Sequence, residues 1–226
     1  LRPTKSVIVK REPAMTEKTA SAHYTPPAPD GSQPGIYWVP MADISPKSDW
    51  IGLGLKTVAY HEAIPGHHFQ VALQQEIPDL PRYRKYRIFG FNSAFGEGWA
   101  LYAERLAMEN GWYEGDLLGQ LGYLSGQLLR ARRLVVDTGL HAKKWTRQQV
   151  LDYGISAAET ERYIVLQGQA CAYMIGQLRI LDLREKSKKA LGEKFSIKQF
   201  HNLILRTGTV PLDILEQEVD AWIKSQ

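Results

Sequence analysis

The sequence predicts a mainly α domain preceded by an extended arm that carries a short edge strand. Three observations support this. Residues 1–48 are dense in Pro, Ser, Thr and Gly, with "YTPPAPDGSQPG" near the middle, which excludes helix and favours an extended, turning path. From Ser48 onward the apolar residues recur at helical spacing between capping and breaking residues. No internal repeat or linker interrupts residues 49–226, so the arm (1–48) and the helical part (49–226) are read as one domain.

In the arm, "GIYWVP" (Gly35–Pro40) is an apolar and aromatic run bounded by breakers, and its flanking prolines suggest an edge strand. The first helix opens at Ser48 or Asp49 as N-cap and carries Ile51, Leu55, Val58 and Ala59 as its apolar set. A second helix is expected from about Phe95 to Asn110. A long third runs from about Glu114 to Thr138 and stops at Gly139. A shorter helix starts at the Thr146 cap, and "AAETERYIV" is helical up to a break around Gly168. Another helix covers about Ala170–Leu191. "SIKQFHNLILRTG" and "PLDILEQEVDAWIKS" close the chain, the last with Pro211 in its first turn and Leu212, Leu215, Val219 and Trp222 on one face.

Composition narrows the function classes. The 226 residues can bury a sizeable core, and 44% hydrophobic with 23% charged residues is ordinary for a globular domain. No apolar run approaches the roughly 18–20 residues needed to span a bilayer, so no transmembrane helix is expected. The net charge of +4 is spread along the chain rather than blocked. The basic, tyrosine-rich "PRYRKYR" (Pro81–Arg87) is read as a solvated loop or a site for an anionic group, and no nucleic-acid partner is expected. The single cysteine, Cys171, excludes an internal disulfide and suits a small buried hydrophobe.

The chemistry concentrates in "YHEAIPGHHFQ", Tyr60–Gln70. Two histidines one helical turn apart can bind one Zn²⁺, and a glutamate after the first can serve as general base. His61 and Glu62 begin that arrangement, but the next histidines follow six and seven residues later. A straight helix would turn His67 about 240° away from His61 and set His68 about 10.5 Å along the axis. Pro65 and Gly66 offer the remedy, a bulge at "IPG". If the bulge absorbs two residues His67 is the ligand and His68 meets a neighbouring wall or substrate; if it absorbs three, His68 is the ligand. "FGEGWALYAERL" (Phe95–Leu106) offers Glu97 as third ligand, and Glu104 as acceptor for a ligand histidine's other nitrogen.

The blocks "HEAIPGHHFQ", "GEGWALYAE", "RLVVDTGLH" and "ERYIVLQGQACAYMIGQL" resemble those of the bacterial family called domain of unknown function 885, over nearly the whole chain. That family is similar to the gluzincin peptidases. The resemblance implies a zincin-like helical metallopeptidase fold with one Zn²⁺ per chain on two histidines and a glutamate, favouring His61, His67 and Glu97. It also implies a tyrosine or histidine from a later helix at the oxyanion, with Tyr173 first and Tyr163 second. Members are more than twice this length, so an N-terminal portion of the same protein is an expected partner.

The expected reaction is hydrolysis of a peptide or small amide, with Glu62 as general base and Gln169 sharing the cleft with Tyr173. "RARRLVVDTGLH" holds Arg130, Arg132, Arg133, Asp137 and His141. One of its arginines, or Arg162, would suit a peptide's C-terminal carboxylate, while a buried Arg–Asp pair is the structural alternative. The "GIYWVP" strand would pair with an extended substrate, and His201 is read as structural. A hydrolase of another amide or ester, and a non-catalytic scaffold with a structural metal, are the other readings. Compartment is left open between periplasm or exterior and cytoplasm.

Overall fold

The computed structural model describes residues 1–41, 51–88 and 92–226, the side chains of 51–53 aside. The expected caps Ser48 and Asp49 and the Ile51 side chain lie outside the described residues. The arm folds into a three-stranded sheet from β1 (Val7–Arg11), β2 (His23–Thr25) and β3 (Gly35–Val39), in the order β1-β3-β2. β1 runs parallel to β3, with Val7 opposite Gly35, and β2 runs antiparallel to it, with Tyr24 opposite Tyr37. The expectation of an edge strand at "GIYWV" is therefore corrected: β3 is the central strand. Pro34 and Pro40 bracket the strand from outside, so no ladder donor within it is lost. With both its edges paired, β3 is also closed to an extended substrate.

The helical part comprises α1 (Ile51–Glu62), α2 (His67–Glu76), α3 (Arg82–Lys85), α4 (Ser93–Glu109), α5 (Leu117–Lys143), α6 (Arg147–Asp152), α7 (Ala157–Val165), α8 (Gln169–Leu191), α9 (Ile197–Thr207) and α10 (Leu212–Ser225). Local chemistry sets several starts. Asn92 caps α4, Ser156 caps α7 and Ser196 caps α9, while Thr146 and Gln149 form a reciprocal capping box on α6. The buried described residues of α1 are polar: Thr57, hydrogen-bonded to the Tyr113 hydroxyl at 2.9 Å, His61 and Glu62, whereas Leu55 is 41% exposed. α5 does not stop at Gly139. That glycine packs inside the helix against Trp145, and the left-handed residue that ends α5 is Lys144.

The largest core cluster joins Phe95, Trp99 and Tyr102 of α4 to Ile180 and Leu183 of α8, with α9 and α10 closing over it through Phe200, Ile204, Leu215 and Val219. Burying such side chains contributes roughly 1.5–3 kcal/mol each. α4 and α8 approach to backbone contact at two glycines. A Cβ on Gly98 would lie 2.5 Å from the Gly176 Cα, and one on Gly176 would lie 1.9 Å from the Ala94 carbonyl oxygen. These two helices supply much of the polar cluster described next. Among the described residues no helix is long and apolar enough to cross a membrane.

Candidate functional site

α1 ends at Glu62 and α2 begins at His67, with Ala63–Gly66 as the turn between them. Across it the Phe69 N–H donates to the Ala63 carbonyl at 3.4 Å, two residues beyond the helical spacing, so the two extra residues expected at "IPG" are taken up in a break between two helical segments. The Ile64–Pro65 peptide is cis. A Cβ on Gly66 would sit 1.9 Å from the His61 carbonyl oxygen, so the turn folds directly onto the last turn of α1, a fit that glycine permits. The Trp99 indole donates to the Pro65 carbonyl at 2.9 Å and ties the turn to α4.

This turn brings His67 beside His61, with ring centroids 4.8 Å apart and planes at 88°. The Nε2 atoms of both rings lie 3.3 Å from one oxygen, Oε2 of Glu97. Two ligand atoms held about 2.0–2.1 Å from a tetrahedral Zn²⁺ lie about 3.3–3.4 Å apart, so this donor set fits that ion. One ligand atom each from His61, Glu62 and His67 also falls within a 4.8 Å group. Glu62 and Glu97 thus compete on distance for the third ligand place. The shared 3.3 Å contacts favour Glu97 and leave Glu62 beside the centre.

Behind the site, Glu104 is fully buried and its Oε1 meets His61 Nδ1 at 2.8 Å and Arg130 Nη2 at 3.2 Å. His61 therefore has a carboxylate at each ring nitrogen. Burial pushes its imidazole down, but the bonds to Glu104 and Glu97 outweigh this and carry it up to about 9. Burial works to raise Glu97 as well, and the bonds from His61 and His67 hold it well below the usual carboxylate range. Glu62 is pushed up by burial.

The cleft over these residues has a volume of about 380 Å³. Tyr173 and Arg162 form part of its wall, and the arm contributes His23 and Tyr24. Gln169 joins the groups: its Nε2 lies 3.3 Å from the Tyr173 hydroxyl and 3.5 Å from Glu97 Oε1, and its carbonyl oxygen accepts from Arg162.

Other expected residues lie elsewhere. His68 is buried with both ring nitrogens engaged, one by the Tyr24 hydroxyl and the other by the Lys5 carbonyl, each at 3.0 Å. It clamps the arm to α2 and cannot serve as the alternative ligand or touch substrate. Tyr163 is not at the cleft, because its hydroxyl donates to Glu159 at 2.7 Å and accepts from Arg133 at 2.8 Å. Arg133 lies behind Tyr173, its guanidinium 4.8 Å from that ring, and pairs with Glu159 rather than Asp137. Asp137 instead accepts from the Gly168 backbone. His141 is on the surface, donating to the Tyr163 carbonyl at 2.9 Å. His201 is held by the Tyr102 hydroxyl at 2.8 Å.

Residues the sequence did not single out also reach the cleft, among them His23 and Tyr24, through a three-residue strand with no periodic signal. Arg87 reaches it from the end of the basic stretch read as a solvated loop or a site for an anionic group.

No curated protein matches the chain. Solved structures similar to it include the following two. One, described as "the putative lipoprotein from Colwellia psychrerythraea", is 44% identical with a TM-score of 0.92; the match covers all of this chain and 39% of that one. The other, described as "a putative lipoprotein of unknown function from Shewanella oneidensis", is 28% identical with a TM-score of 0.75, covering 96% of this chain and 41% of that one. The chain therefore spans well under half the length of each of these relatives. The sequence profile of a bacterial family of unknown function matches residues 1–219, so the chain belongs to that family, DUF885.

Proposed function

We propose that this chain carries the catalytic centre of a zinc-dependent peptidase of zincin-like design. The observation that carries the reading is the convergence of His61 and His67, each through Nε2, on one oxygen of Glu97 at 3.3 Å, with Glu62 in the same cleft. His61, His67 and Glu97 would hold the ion, with Glu104 fixing the His61 ring from behind. Bound Zn²⁺ supplies a Lewis acid that makes water acidic at neutral pH and polarises a carbonyl.

The protein's own part follows from placement. The carboxylate of Glu62 takes a proton from the attacking water and passes it to the departing amine nitrogen. Its burial favours this shuttle, since a raised carboxyl holds the proton between the two transfers. Tyr173, on the cleft wall, donates its hydroxyl hydrogen to the oxygen on which negative charge develops. The cleft matches the size of a short peptide segment rather than a folded protein.

The test pairs metal analysis with a fluorescence-quenched peptide library. Zinc-loaded wild type should cleave members of the library. Glu62→Gln should keep its zinc and lose turnover by roughly 10²–10⁴-fold. Unchanged turnover in Glu62→Gln would remove the base, and cleavage of esters or simple amides but no peptide would move the reading to another hydrolase.

A further inference from the structure

The hydroxyl of Tyr173 has an unusual set of partners. It accepts from Arg162 Nη2 at 3.1 Å and from Gln169 Nε2 at 3.3 Å, and among the described residues it donates to nothing. The orientation of the Gln169 amide is fixed by chemistry. A guanidinium can only donate, so the amide oxygen must face Arg162. Its Nε2 is thereby turned toward Tyr173, with Ser93 Oγ at 3.3 Å and Glu97 Oε1 at 3.5 Å sharing its two hydrogens.

Arg162 is itself tethered. Its Nη1 reaches both oxygens of Glu159 at 3.3 and 3.4 Å, and Glu159 is anchored by Arg133 at 2.6 Å and by the Tyr163 hydroxyl. The Tyr173 ring is held from its faces: the Arg133 guanidinium stands 4.8 Å from its centroid, and the His61 ring stacks at 6.1 Å and 23°. A phenol oxygen that accepts from two fixed donors has one hydrogen left to give, and that hydrogen must point away from both. Tyr173 lines the cleft, so the space left to it is the cleft.

We infer that Arg162 and Gln169 are positioning residues that preset the Tyr173 hydroxyl as a hydrogen-bond donor aimed into the cleft. This rests on the hydrolytic reading above and adds to it a reason why the donor needs no reorientation as charge develops. A donor fixed beforehand acts on the transition state more than on the bound substrate. Arg162→Met should therefore lower kcat by roughly 10–100-fold with KM little changed, and Arg162→Lys should recover part of the loss. Gln169→Met should act in the same direction and serves as the second variant if Arg162→Met folds poorly.

The deciding experiment is a double-mutant cycle between Arg162→Met and Tyr173→Phe on zinc-loaded protein. It is read both as kcat on a cleaved peptide and as affinity for a phosphinic peptide, a tetrahedral analogue, by calorimetry. If Arg162 acts through Tyr173, its substitution costs little once the hydroxyl is gone, in both readouts. If wild type cleaves and binds but the two costs add, the positioning role is overturned and the hydrolytic reading stands. If wild type neither cleaves peptide nor binds the analogue, both fall together.

Discussion

On one face of α4, Arg184 gives two hydrogen bonds to Glu109, at 2.8 and 3.0 Å, and a third to the Tyr102 hydroxyl, which in turn meets His201 at 2.8 Å. On another face, Glu97 and Glu104 meet His61, His67 and Arg130, with Glu62 alongside. The two clusters use similar residue types at different depth, since Glu109 is exposed and Glu104 fully buried. In the first, one carboxylate serves two guanidiniums, Arg184 and Arg105, and the buried atom left without a hydrogen-bond partner is a donor, Arg184 Nε. The second gathers three carboxylates against two imidazoles and one guanidinium, and there the acceptor Glu104 Oε2 and the donor Arg130 Nε are buried without a hydrogen-bond partner among the described residues. A cluster with surplus acceptors is the one expected to recruit a cation from solution. The balance of carboxylates against cations, more than polarity as such, separates the two clusters.

The sharpest way to break this contrast is to remove one histidine of each kind from the same pair. His67→Ala should abolish bound zinc, measured by elemental mass spectrometry, and with it hydrolysis, by more than about 10³-fold. His68→Ala should keep the zinc and instead lower the melting temperature, since it strands two half-buried partners, the Tyr24 hydroxyl and the Lys5 carbonyl, at about 1–3 kcal/mol together. Zinc lost from His68→Ala with a normal melting curve would reverse the assignment.

Next in size is Gly176→Ala. Its methyl group would meet the α4 backbone, and we expect roughly 3 kcal/mol of destabilisation in urea unfolding. A value near zero would mean that the helix crossing can slide.

A third test touches the fit of the site rather than its existence. Glu104→Gln should weaken zinc binding about 10–100-fold in a chelator competition, because His61 Nδ1 loses a charged partner.

The smallest effect is expected on the Arg184–Glu109 cluster. Glu109→Gln should cost about 1 kcal/mol after solvent screening and leave zinc affinity unchanged. Its hydrogen bond from Arg184 brings the Glu109 carboxyl down from 4.5 to about 2. The stabilisation is fully present above 4.5 and is lost as pH falls toward 2, so wild type and variant should converge in acid.

Much of the helical frame was legible because caps and breakers are local signals. Thr146 caps where it was read, and the apolar face of the last helix buries Leu215 and Val219. The site was legible where a residue's neighbours constrain it. Pro65 and Gly66 announced a break that absorbs two residues, though not that it would divide the helix in two, since that depends on how the turn packs against α1 and Trp99. What failed depended on long-range pairing. The edges of β3 are covered by strands 11–15 and 28 residues away in register, which no local pattern marks. The partner of Arg133 is Glu159, on another helix, although Asp137 one turn away looked the natural choice. Tyr163 and Tyr173 are equally aromatic in sequence, and only the tertiary fold turns one toward Glu159 and the other toward the cleft.

The crossing of α4 and α8 at Gly98 and Gly176 has a consequence for tolerance. Glu97 is the residue next to one glycine, and Tyr173 lies three residues before the other. The gap between the two walls is thus gauged by main chain against main chain, a hard stop that no rotamer can soften. Side chains lining the cleft can vary without changing its span, whereas a single added carbon at the contact resets it.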